Sequence, residues 1–279
     1  ICLANNCEPE LVLRVNSSLI TRDELGSLFH EKAISSLPGS YSGEALVLPD
    51  FHGQIATLPG YDRGVFQVQD EAAQLVTRLL GPLRQGGHYL DGCAGLGGKT
   101  SHLVQLGKEY ELQIHALEPD SHRLKKLREN LFRLLPGERV TIHAGSLQQL
   151  DASNLPQFDG ILIDAPCSGT GVIGRHPVIR WNRLPEDILR YQQIQLDLLD
   201  HAAPLLKNGG VLVYATCSLE PEENHEVISK FLESHQDFVL TDCSDFLPAS
   251  AHHFITGHVF ATRPSARIDG FFGARMERR

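Results

Sequence analysis

A glycine-rich loop between a short apolar segment and a helical segment limits this chain to a few folds. Residues 91–100 read Asp-Gly-Cys-Ala-Gly-Leu-Gly-Gly-Lys-Thr and continue the apolar segment 88–91. Glycines let a backbone turn sharply, and a helix N-terminus offers unpaired N–H groups to an anion. Glu118 ends the next apolar segment, 20 residues after Gly98, where an acid can accept both hydroxyls of a ribose. The loop fits neither the P-loop nor the G-x-G-x-x-G spacing, so it predicts a nucleotide-type ligand of another class.

Strand and helix patterns alternate from about Phe66 onward. Strands are predicted at residues 88–91, 113–117, 140–144, 160–164 and 211–216, and helices at 121–135 and 186–206. Such alternation predicts a parallel sheet with helices on both faces. Residues 259–262 and 270–275 are two further strand candidates with a turn between them, and they predict an antiparallel pair at the sheet edge.

The first sixty or so residues predict a small β-α-β unit. Residues 11–15 alternate as a strand, and Thr21 with Glu24 forms a capping box that opens a helix. A proline-glycine loop follows the unit. We therefore expect two domains, a small α+β subdomain over residues 1–65 and a Rossmann-like domain over residues 66–279.

Two cysteines follow two of the predicted strands. Residues 161–171 read Ile-Leu-Ile-Asp-Ala-Pro-Cys-Ser-Gly-Thr-Gly, and residues 211–218 read Val-Leu-Val-Tyr-Ala-Thr-Cys-Ser. Ligands of open parallel sheets bind at the carboxyl ends of the strands, so Cys167 and Cys217 face one crevice if these strands are neighbours. A single such cysteine is often a small buried hydrophobe. Two of them beside small polar residues indicate reactive thiols.

The net charge of -9 excludes a wholly basic nucleic-acid-binding protein. The charge is uneven, because residues 185–250 hold 12 acidic and 3 basic residues, so that the rest of the chain sums to zero. Residues 172–184 hold three arginines and no acid. We therefore expect a basic rim near the predicted crevice.

Several other classes are also disfavoured by composition. The chain has no apolar stretch long enough for a membrane span, and its six cysteines are too few for a disulfide framework. Cys2 and Cys7 lack a second ligand pair at metal spacing. We therefore expect a cytoplasmic protein with reduced thiols that binds neither a membrane nor a metal. We also expect it to be a monomer.

These motifs resemble the RNA cytosine-C5 methyltransferases, the family of the bacterial Sun protein and its eukaryotic nucleolar relatives. Residues 164–171 and 216–218 carry the resemblance most specifically. Further matching segments are 68–74, 175–181, 222–224 and 269–272. Bacterial members of the Sun group often carry a helical RNA-binding domain before this point, and we expect this chain to lack it.

The resemblance implies a Rossmann-like, S-adenosylmethionine-dependent methyltransferase sheet, mostly parallel with an antiparallel edge hairpin, and a small RNA-recognition-type subdomain before it. It implies S-adenosyl-L-methionine as the cofactor and RNA, small-subunit ribosomal RNA in particular, as the substrate. The residues implied to hold the cofactor are Cys93, Ala94, Gly95, Leu96, Gly97, Gly98, Lys99, Glu118, Arg123, Ser146 and Asp164.

The chain departs from the family pattern at three places in the implied cofactor site. Its loop reads Cys-Ala-Gly-Leu-Gly-Gly-Lys where Cys-Ala-Ala-Pro-Gly-Gly-Lys is usual, and Glu118 replaces a commoner aspartate. Gly145 and Ser146 stand where an aspartate near the adenine is usual. A serine hydroxyl carries no charge, so we expect weaker cofactor binding or a water in the missing place.

Carbon 5 of cytosine is a poor nucleophile until a thiolate adds to carbon 6, which is covalent catalysis. A base then removes the carbon-5 proton so that the thiolate leaves. By resemblance Cys217 is the nucleophile, Cys167 assists release, and Asp164 bonds the base near N3. The chemistry leaves the order of the thiols open, since DNA cytosine methyltransferases attack with the cysteine of a Pro-Cys motif, which is Cys167 here.

The target base must be single-stranded or splayed from its stack for a thiol to reach carbon 6. Trp181 with Arg175, Arg180 and Arg183 is predicted to stack on bases and contact phosphates. The alternative is a solvated loop anchored by one tryptophan. Two other functions stay open: a methyltransferase for a tRNA, a small molecule or a protein, and a catalytically weak RNA-binding factor.

Overall fold

The computed structural model describes residue 6 and residues 9–135, 137, 140–150 and 155–279. Cys2 and Cys7, for which the sequence predicts no metal site, lie outside the described residues.

In the part of the chain that the structure describes, four antiparallel strands and one helix form the small N-terminal unit. The strands are β1 (Leu11–Val15), β2 (Leu37–Pro38), β3 (Ala45–Leu48) and β4 (Phe66–Val68), in the order β2-β3-β1-β4. Helix α1 (Arg22–His30) begins at the predicted capping box, where Thr21 accepts the backbone N–H of Glu24 and donates its own backbone N–H to the Glu24 carboxylate. Leu25 and Phe29 of α1 pack on the sheet.

Strand β4 belongs to the small sheet although it lies just after residue 65, and the division into two domains stays a prediction. Phe66 pairs with Val15 of β1 and is fully buried, with its ring centroid 6.1 Å from that of Phe29. The small sheet therefore extends over the three residues of β4, past the predicted boundary at residue 65. Phe66 completes the hydrophobic core of the small sheet.

Over the described residues, nine strands form the large sheet. They are β5 (His88–Asp91), β6 (Gln113–Glu118), β7 (Val140–Ala144), β8 (Phe158–Asp164), β9 (Leu206–Thr216), β10 (Phe238–Thr241), β11 (Ile255–Thr256), β12 (Val259–Ala261) and β13 (Phe272–Arg278). The main order is β11-β12-β13-β9-β8-β5-β6-β7, and β10 pairs with β13. The five neighbouring strands β9, β8, β5, β6 and β7 pair in parallel. Strand β13 is antiparallel to β9, β10 and β12. The predicted mostly parallel sheet with an antiparallel hairpin is confirmed.

Two details of this sheet differ from the sequence prediction. Residues 262–271 connect β12 and β13 as a loop rather than a turn, and this loop brings Asp269 and Phe271 to the site described below. Strand β10 is absent from the sequence prediction, although its residues Phe-Val-Leu-Thr favour strands; it is four residues long and pairs with β13.

Helices cover both faces of the large sheet, as alternation predicts. They are α2 (Glu71–Arg78), α3 (Gly98–Leu106), α4 (Ser121–Leu134), α5 (Ile179–Asn182), α6 (Pro185–Ala202) and α7 (His225–Ser234). One core contains Leu75, Leu103 and Leu127 from α2, α3 and α4, and the other contains Leu198 and Phe231 from α6 and α7. Successive apolar residues of β8 alternate between these two cores.

Arg14 of β1 joins the small unit to the large one. Its side chain is buried and donates to the carbonyl of Gly98 over 2.6 Å and to the hydroxyl of Ser101 over 2.8 Å, and it also contacts Gln69. Burial lowers the pKa of Arg14 to about 9. Both terminal nitrogens of Arg14 are bonded, whereas its buried Nε has no partner among the described residues. Because an unbonded buried cation is costly, the bonds of the terminal nitrogens fix the small unit against the start of α3.

Candidate active site

The carboxyl ends of β5, β6, β8 and β9 border a crevice of about 850 Å³. Most of the predicted cofactor-binding and catalytic residues line it. They are Cys93, Ala94, Gly95, Leu96, Gly98, Lys99, Glu118, Arg123, Ser146, Asp164, Cys167 and Cys217. Gly97 does not line the crevice; a Cβ there would meet Leu127 of α4 at 2.7 Å, so this glycine lets the loop pack closely on α4.

Two glycines and one aspartate set the shape of the glycine loop. Gly95 and Gly97 have φ angles of 56° and 85°, in the region that favours glycine. The buried Asp91 carboxylate accepts the hydroxyl of Thr100 over 2.7 Å and the backbone N–H of Cys93 over 3.3 Å. It thereby joins both ends of the loop, and burial raises its pKa to about 6.

Glu118 stands at the end of β6, where the sequence predicts a ribose-binding acid. Its side chain is almost fully buried, and Oε1 accepts the backbone N–H of Asp120 over 2.8 Å. The distance from Oε2 to Nη1 of Arg123 is 4.0 Å, which is too long for a hydrogen bond. The first oxygen therefore orients the carboxylate, and the second is available to accept a hydroxyl group.

Ser146 lies at the same end of the crevice, after β7. The backbone N–H of Gln149 donates to the Ser146 carbonyl over 3.0 Å, and the Gln149 side chain accepts the backbone N–H of Ser146 over 3.2 Å. These two bonds fix the backbone that carries the Ser146 hydroxyl. The hydroxyl carries no charge with which to hold a ligand amino group.

The two predicted catalytic cysteines lie in contact. The Sγ atoms of Cys167 and Cys217 are 3.3 Å apart, because β8 and β9 are neighbouring parallel strands, as predicted. Two backbone bonds hold the segments together: Ala165 N–H donates to the Ala215 carbonyl, and Gly171 N–H to the Cys217 carbonyl, each over 2.9 Å. The hydrogen bond with Cys217, burial and the nearby negative charges raise the pKa of Cys167 well above that of an ordinary thiol.

Lys99 and Asp164 form an ion pair beside the cysteines. Lys99 Nζ lies 2.6 Å from Asp164 Oδ2 and 4.9 Å from the centre of the Phe271 ring. The Lys99 side chain is 10% exposed and that of Asp164 is 32% exposed, so the carboxylate is the more accessible member of the pair. The arrangement orients a hydrogen-bonding carboxylate toward the region of the thiols.

The four predicted RNA-binding residues have different environments. Arg183 lines the crevice and donates to the Ser168 carbonyl over 2.8 Å, whereas Arg175, Arg180 and Trp181 lie outside the crevice lining. Trp181 on α5 is 84% exposed. An exposed tryptophan of this kind has an aromatic face to offer to a base.

Arg175 is bonded inside the protein. Its Nε lies 2.8 Å from both carboxylate oxygens of Asp269, its Nη2 lies 3.0 Å from Asp70, and its Nη1 donates to the Glu10 carbonyl over 3.1 Å. These bonds connect the N-terminal unit, the segment before α2 and the loop before β13. An RNA contact stays a prediction for Arg175, whose guanidinium already has three protein partners.

Sequence reasoning gave no role to several residues that line the crevice, among them Asp70, Asp269 and Phe271. Burial and the neighbouring Asp269 raise the pKa of Asp70 to about 7. The available signal was the match of segments 68–74 and 269–272 to the family pattern. Among the described residues, no group of three His, Cys, Asp or Glu side chains is arranged to hold a metal, and no described helix has the length and apolarity to cross a membrane.

Two family models match the chain. The 16S rRNA methyltransferase RsmB/F model matches residues 78–277, and the RsmF/B-like methyltransferase ferredoxin-like domain model matches residues 1–52. The solved structure of a methyltransferase homolog protein from Pyrococcus horikoshii is 29% identical and superposes with a TM-score of 0.82, covering 100% of this chain and 90% of that one. The fold of the whole chain is therefore that of a known methyltransferase structure.

Two curated relatives are more similar in sequence. Ribosomal RNA small subunit methyltransferase B of Photorhabdus laumondii is 40% identical over 99% of this chain, and the protein of the same name from Erwinia tasmaniensis is 41% identical over 87%. The chain spans 61% and 55% of the length of these two relatives. With a family model matched over most of its length, the chain belongs to the 16S rRNA methyltransferase RsmB/F family.

Proposed function

We propose that this chain transfers a methyl group from S-adenosyl-L-methionine to carbon 5 of a cytosine in small-subunit ribosomal RNA, through a covalent cysteine–cytosine intermediate. The observation that carries the proposal is the contact of two thiols, 3.3 Å apart, at the end of the sheet that also bears the glycine loop. The names of the curated relatives support ribosomal RNA as the substrate.

S-adenosyl-L-methionine is the cofactor of this methyltransferase family, and the crevice residues fit it. The loop from Cys93 to Lys99 borders the crevice with backbone at the N-terminus of α3, suited to the carboxylate of the methionine part. Glu118 Oε2 is available for a ribose hydroxyl, and Arg123 and Ser146 border the adenine end. When bound, the cofactor supplies an electrophilic methyl group.

The protein's own part in the reaction is nucleophilic activation of the base. The Cys217 thiolate adds to carbon 6 of cytosine, and the electron pair of the carbon 5–carbon 6 double bond moves into the ring. Carbon 5 would then bond the methyl group as the methyl–sulfur bond of the cofactor breaks, with the neutral thioether as the leaving group. A base takes the carbon-5 proton, the double bond reforms, and Cys217 leaves as thiolate.

Cys167 and Asp164 have supporting roles in this scheme. Asp164, oriented by Lys99 over 2.6 Å, bonds the cytosine near N3 while charge develops in the ring. Cys167 acts in the release of Cys217, with which it is already in contact. The reverse assignment, with Cys167 as the nucleophile, is the alternative that adduct trapping distinguishes.

The RNA is bound through the α5 region beside the cysteines. Trp181 stacks on an unpaired base, and Arg180 and Arg183 contact phosphates. Arg183 lies at the crevice, where the backbone of a splayed nucleotide passes. The target cytosine is therefore in a single-stranded or distorted part of the RNA.

The direct test is methyl transfer with labelled S-adenosyl-L-methionine to unmodified small-subunit ribosomal RNA, followed by bisulfite mapping of the product. We expect label at a bisulfite-resistant cytosine. Label only on tRNA, a protein or a small molecule would establish a different methyltransferase, and RNA binding without label would establish a binding factor. Paired thiols favour the RNA cytosine reaction, because the other methyl acceptors need no thiol addition.

A further inference from the structure

A buried carboxylate joins the two cysteine loops and has no part in the reaction proposed above. Glu223 ends the 3-10 turn Pro221–Glu223, which follows the Cys217 loop, and its side chain is fully buried. Together with the hydrogen bond to Cys217 and burial, the negative charge of its carboxylate raises the pKa of the Cys167 thiol. A buried acid without a structural or chemical task is costly.

Four hydrogen-bond donors surround the Glu223 carboxylate. Oε1 accepts the backbone N–H of Ser168 over 2.9 Å and the side-chain amide of Gln195 over 3.0 Å. Oε2 accepts the hydroxyl of Ser218 over 2.5 Å and also that of Ser168. Both oxygens accept hydrogen bonds, and among the described residues no lysine or arginine forms an ion pair with Glu223.

These bonds fix the residues that directly follow the two cysteines. Ser168 comes after Cys167 and Ser218 after Cys217, and their hydroxyl oxygens lie 3.1 Å apart on the same carboxylate oxygen. Gln195 also donates to the Pro166 carbonyl over 3.1 Å. Glu223 therefore holds the backbone on both sides of the thiol contact.

The bonds of Glu223 distinguish the two thiols. Its carboxylate accepts both the backbone N–H and the hydroxyl of Ser168, next to Cys167, but only the hydroxyl of Ser218, next to Cys217. The titratable groups that interact with Cys167 are Cys217, Glu223 and Tyr214, and Arg183 bonds the carbonyl of the next residue, Ser168. The negative charge of Glu223 therefore disfavours a second negative charge on Cys167, whose Sγ lies 3.3 Å from that of Cys217. Cys167 is the thiol that this arrangement keeps protonated, which leaves bond formation with carbon 6 to Cys217.

We infer that Glu223 is a positioning residue that holds the two cysteine loops together and, through its negative charge, assigns the two thiols different roles. The assignment of nucleophilic attack to Cys217 rests on the proposed function. The effect of Glu223 on Cys167 in the free protein does not, so the two are tested separately.

The test is the pH dependence of Cys167 alkylation by iodoacetamide in the RNA-free protein, followed by site-resolved mass spectrometry. Glu223→Gln removes the charge and keeps a side chain of the same shape. We expect Cys167 in this variant to be alkylated about tenfold faster at pH 8, which corresponds to a pKa lower by about one unit. Glu222→Gln, in the same turn but outside the network, is the matched control and should behave as wild type.

An unchanged alkylation rate of Cys167 in folded Glu223→Gln overturns the inference. If that variant does not fold, Ser218→Ala removes one donor and leaves the charge; it should slow Cys167 alkylation at the same pH, and a rate equal to wild type overturns the inference. A shifted alkylation profile in a protein that methylates no RNA leaves the role of Glu223 intact and refutes the proposed function instead.

A second readout concerns the reaction. With RNA containing 5-fluorocytosine, wild type is expected to form its adduct through Cys217 alone, and Glu223→Gln to form a measurable fraction through Cys167. A variant that only lowers stability reduces both adducts together. An adduct confined to Cys217 in Glu223→Gln contradicts the assignment of roles.

Discussion

The Sγ atoms of Cys167 and Cys217 lie 3.3 Å apart, at the ends of two neighbouring parallel strands. Either sulfur is therefore close enough to reach a base placed between them and the glycine loop. Distance alone does not assign the nucleophile, whereas trapping of the intermediate does.

Substitution of each cysteine should separate attack from release. 5-Fluorocytosine carries fluorine instead of hydrogen at carbon 5, so that its adduct has no proton to lose and is trapped. With RNA containing this base, Cys217→Ser should abolish the covalent adduct, since a hydroxyl is a far weaker nucleophile than a thiolate. Cys167→Ser should keep that adduct and accumulate one even on ordinary cytosine. Denaturing gels and mass spectrometry measure both, and the reverse pattern assigns attack to Cys167.

Ser146→Asp should tighten the binding of S-adenosyl-L-methionine. It places a carboxylate at the adenine end of the crevice, where a charge-assisted hydrogen bond is worth about 1.5–3 kcal/mol, or at least about tenfold in Kd. Calorimetry on the RNA-free protein measures the effect. Ser146→Ala is the control, which removes the hydroxyl without adding charge and should not tighten binding; equal affinities for Ser146→Asp and wild type would show that no ligand amino group lies there.

Arg175→Ala should destabilise the fold by about 3–5 kcal/mol, because it leaves two buried carboxylates, Asp70 and Asp269, without their shared cation. The pH dependence follows from Asp70, whose folded pKa of about 7 lies above its unfolded value. The folded state then binds more protons than the unfolded state between about pH 4 and pH 7, so this group's contribution to stability falls as pH rises.

Urea unfolding at several pH values measures this effect. Without Arg175 the fall in stability between pH 4 and pH 7 should be steeper than in wild type. Arg190→Ala removes an exposed arginine that pairs with Asp187, and it should change stability by less than about 1 kcal/mol. A parallel pH dependence in Arg175→Ala and wild type would contradict the coupling of the three residues.

Trp181→Ala should weaken RNA binding by about 1–3 kcal/mol, the usual worth of one stacked base, and leave the melting temperature unchanged because the side chain is 84% exposed. Phe132→Ala is a matched control, since Phe132 is an aromatic residue that is 86% exposed on α4. Fluorescence anisotropy with single-stranded RNA gives the affinities. Equal losses in the two variants would point to nonspecific contact rather than stacking at α5.

Local patterns were sufficient for much of the fold. Strand β5, the capping box at Thr21 and the neighbouring positions of β8 and β9 follow from short-range periodicity, capping chemistry and the rules for parallel sheets. The cysteine contact was accessible for the same reason, because each thiol directly follows its strand.

The surroundings of Arg175 could not be predicted from short-range patterns. Its partners Asp269 and Asp70 are 94 and 105 residues away along the chain, so an arginine in a loop with two other arginines suggested phosphate binding instead. The contact of Glu223 with both cysteine loops could not be predicted for a similar reason. Ser168 is 55 residues away from it along the chain, and only the packed sheet brings the two residues together.

The bond from Arg14 to the Gly98 carbonyl has a consequence for how such a protein can be recombined. The small unit supplies a cation at the back of the loop that opens α3, and the large unit supplies the carbonyl that receives it. Because every residue offers such a carbonyl, exchange of the small unit with that of a distant relative succeeds only if the incoming unit carries a donor at the position of Arg14. A chimera that keeps Gly98 but lacks an arginine at position 14 should lose order first in the glycine loop, before its sheet begins to unfold.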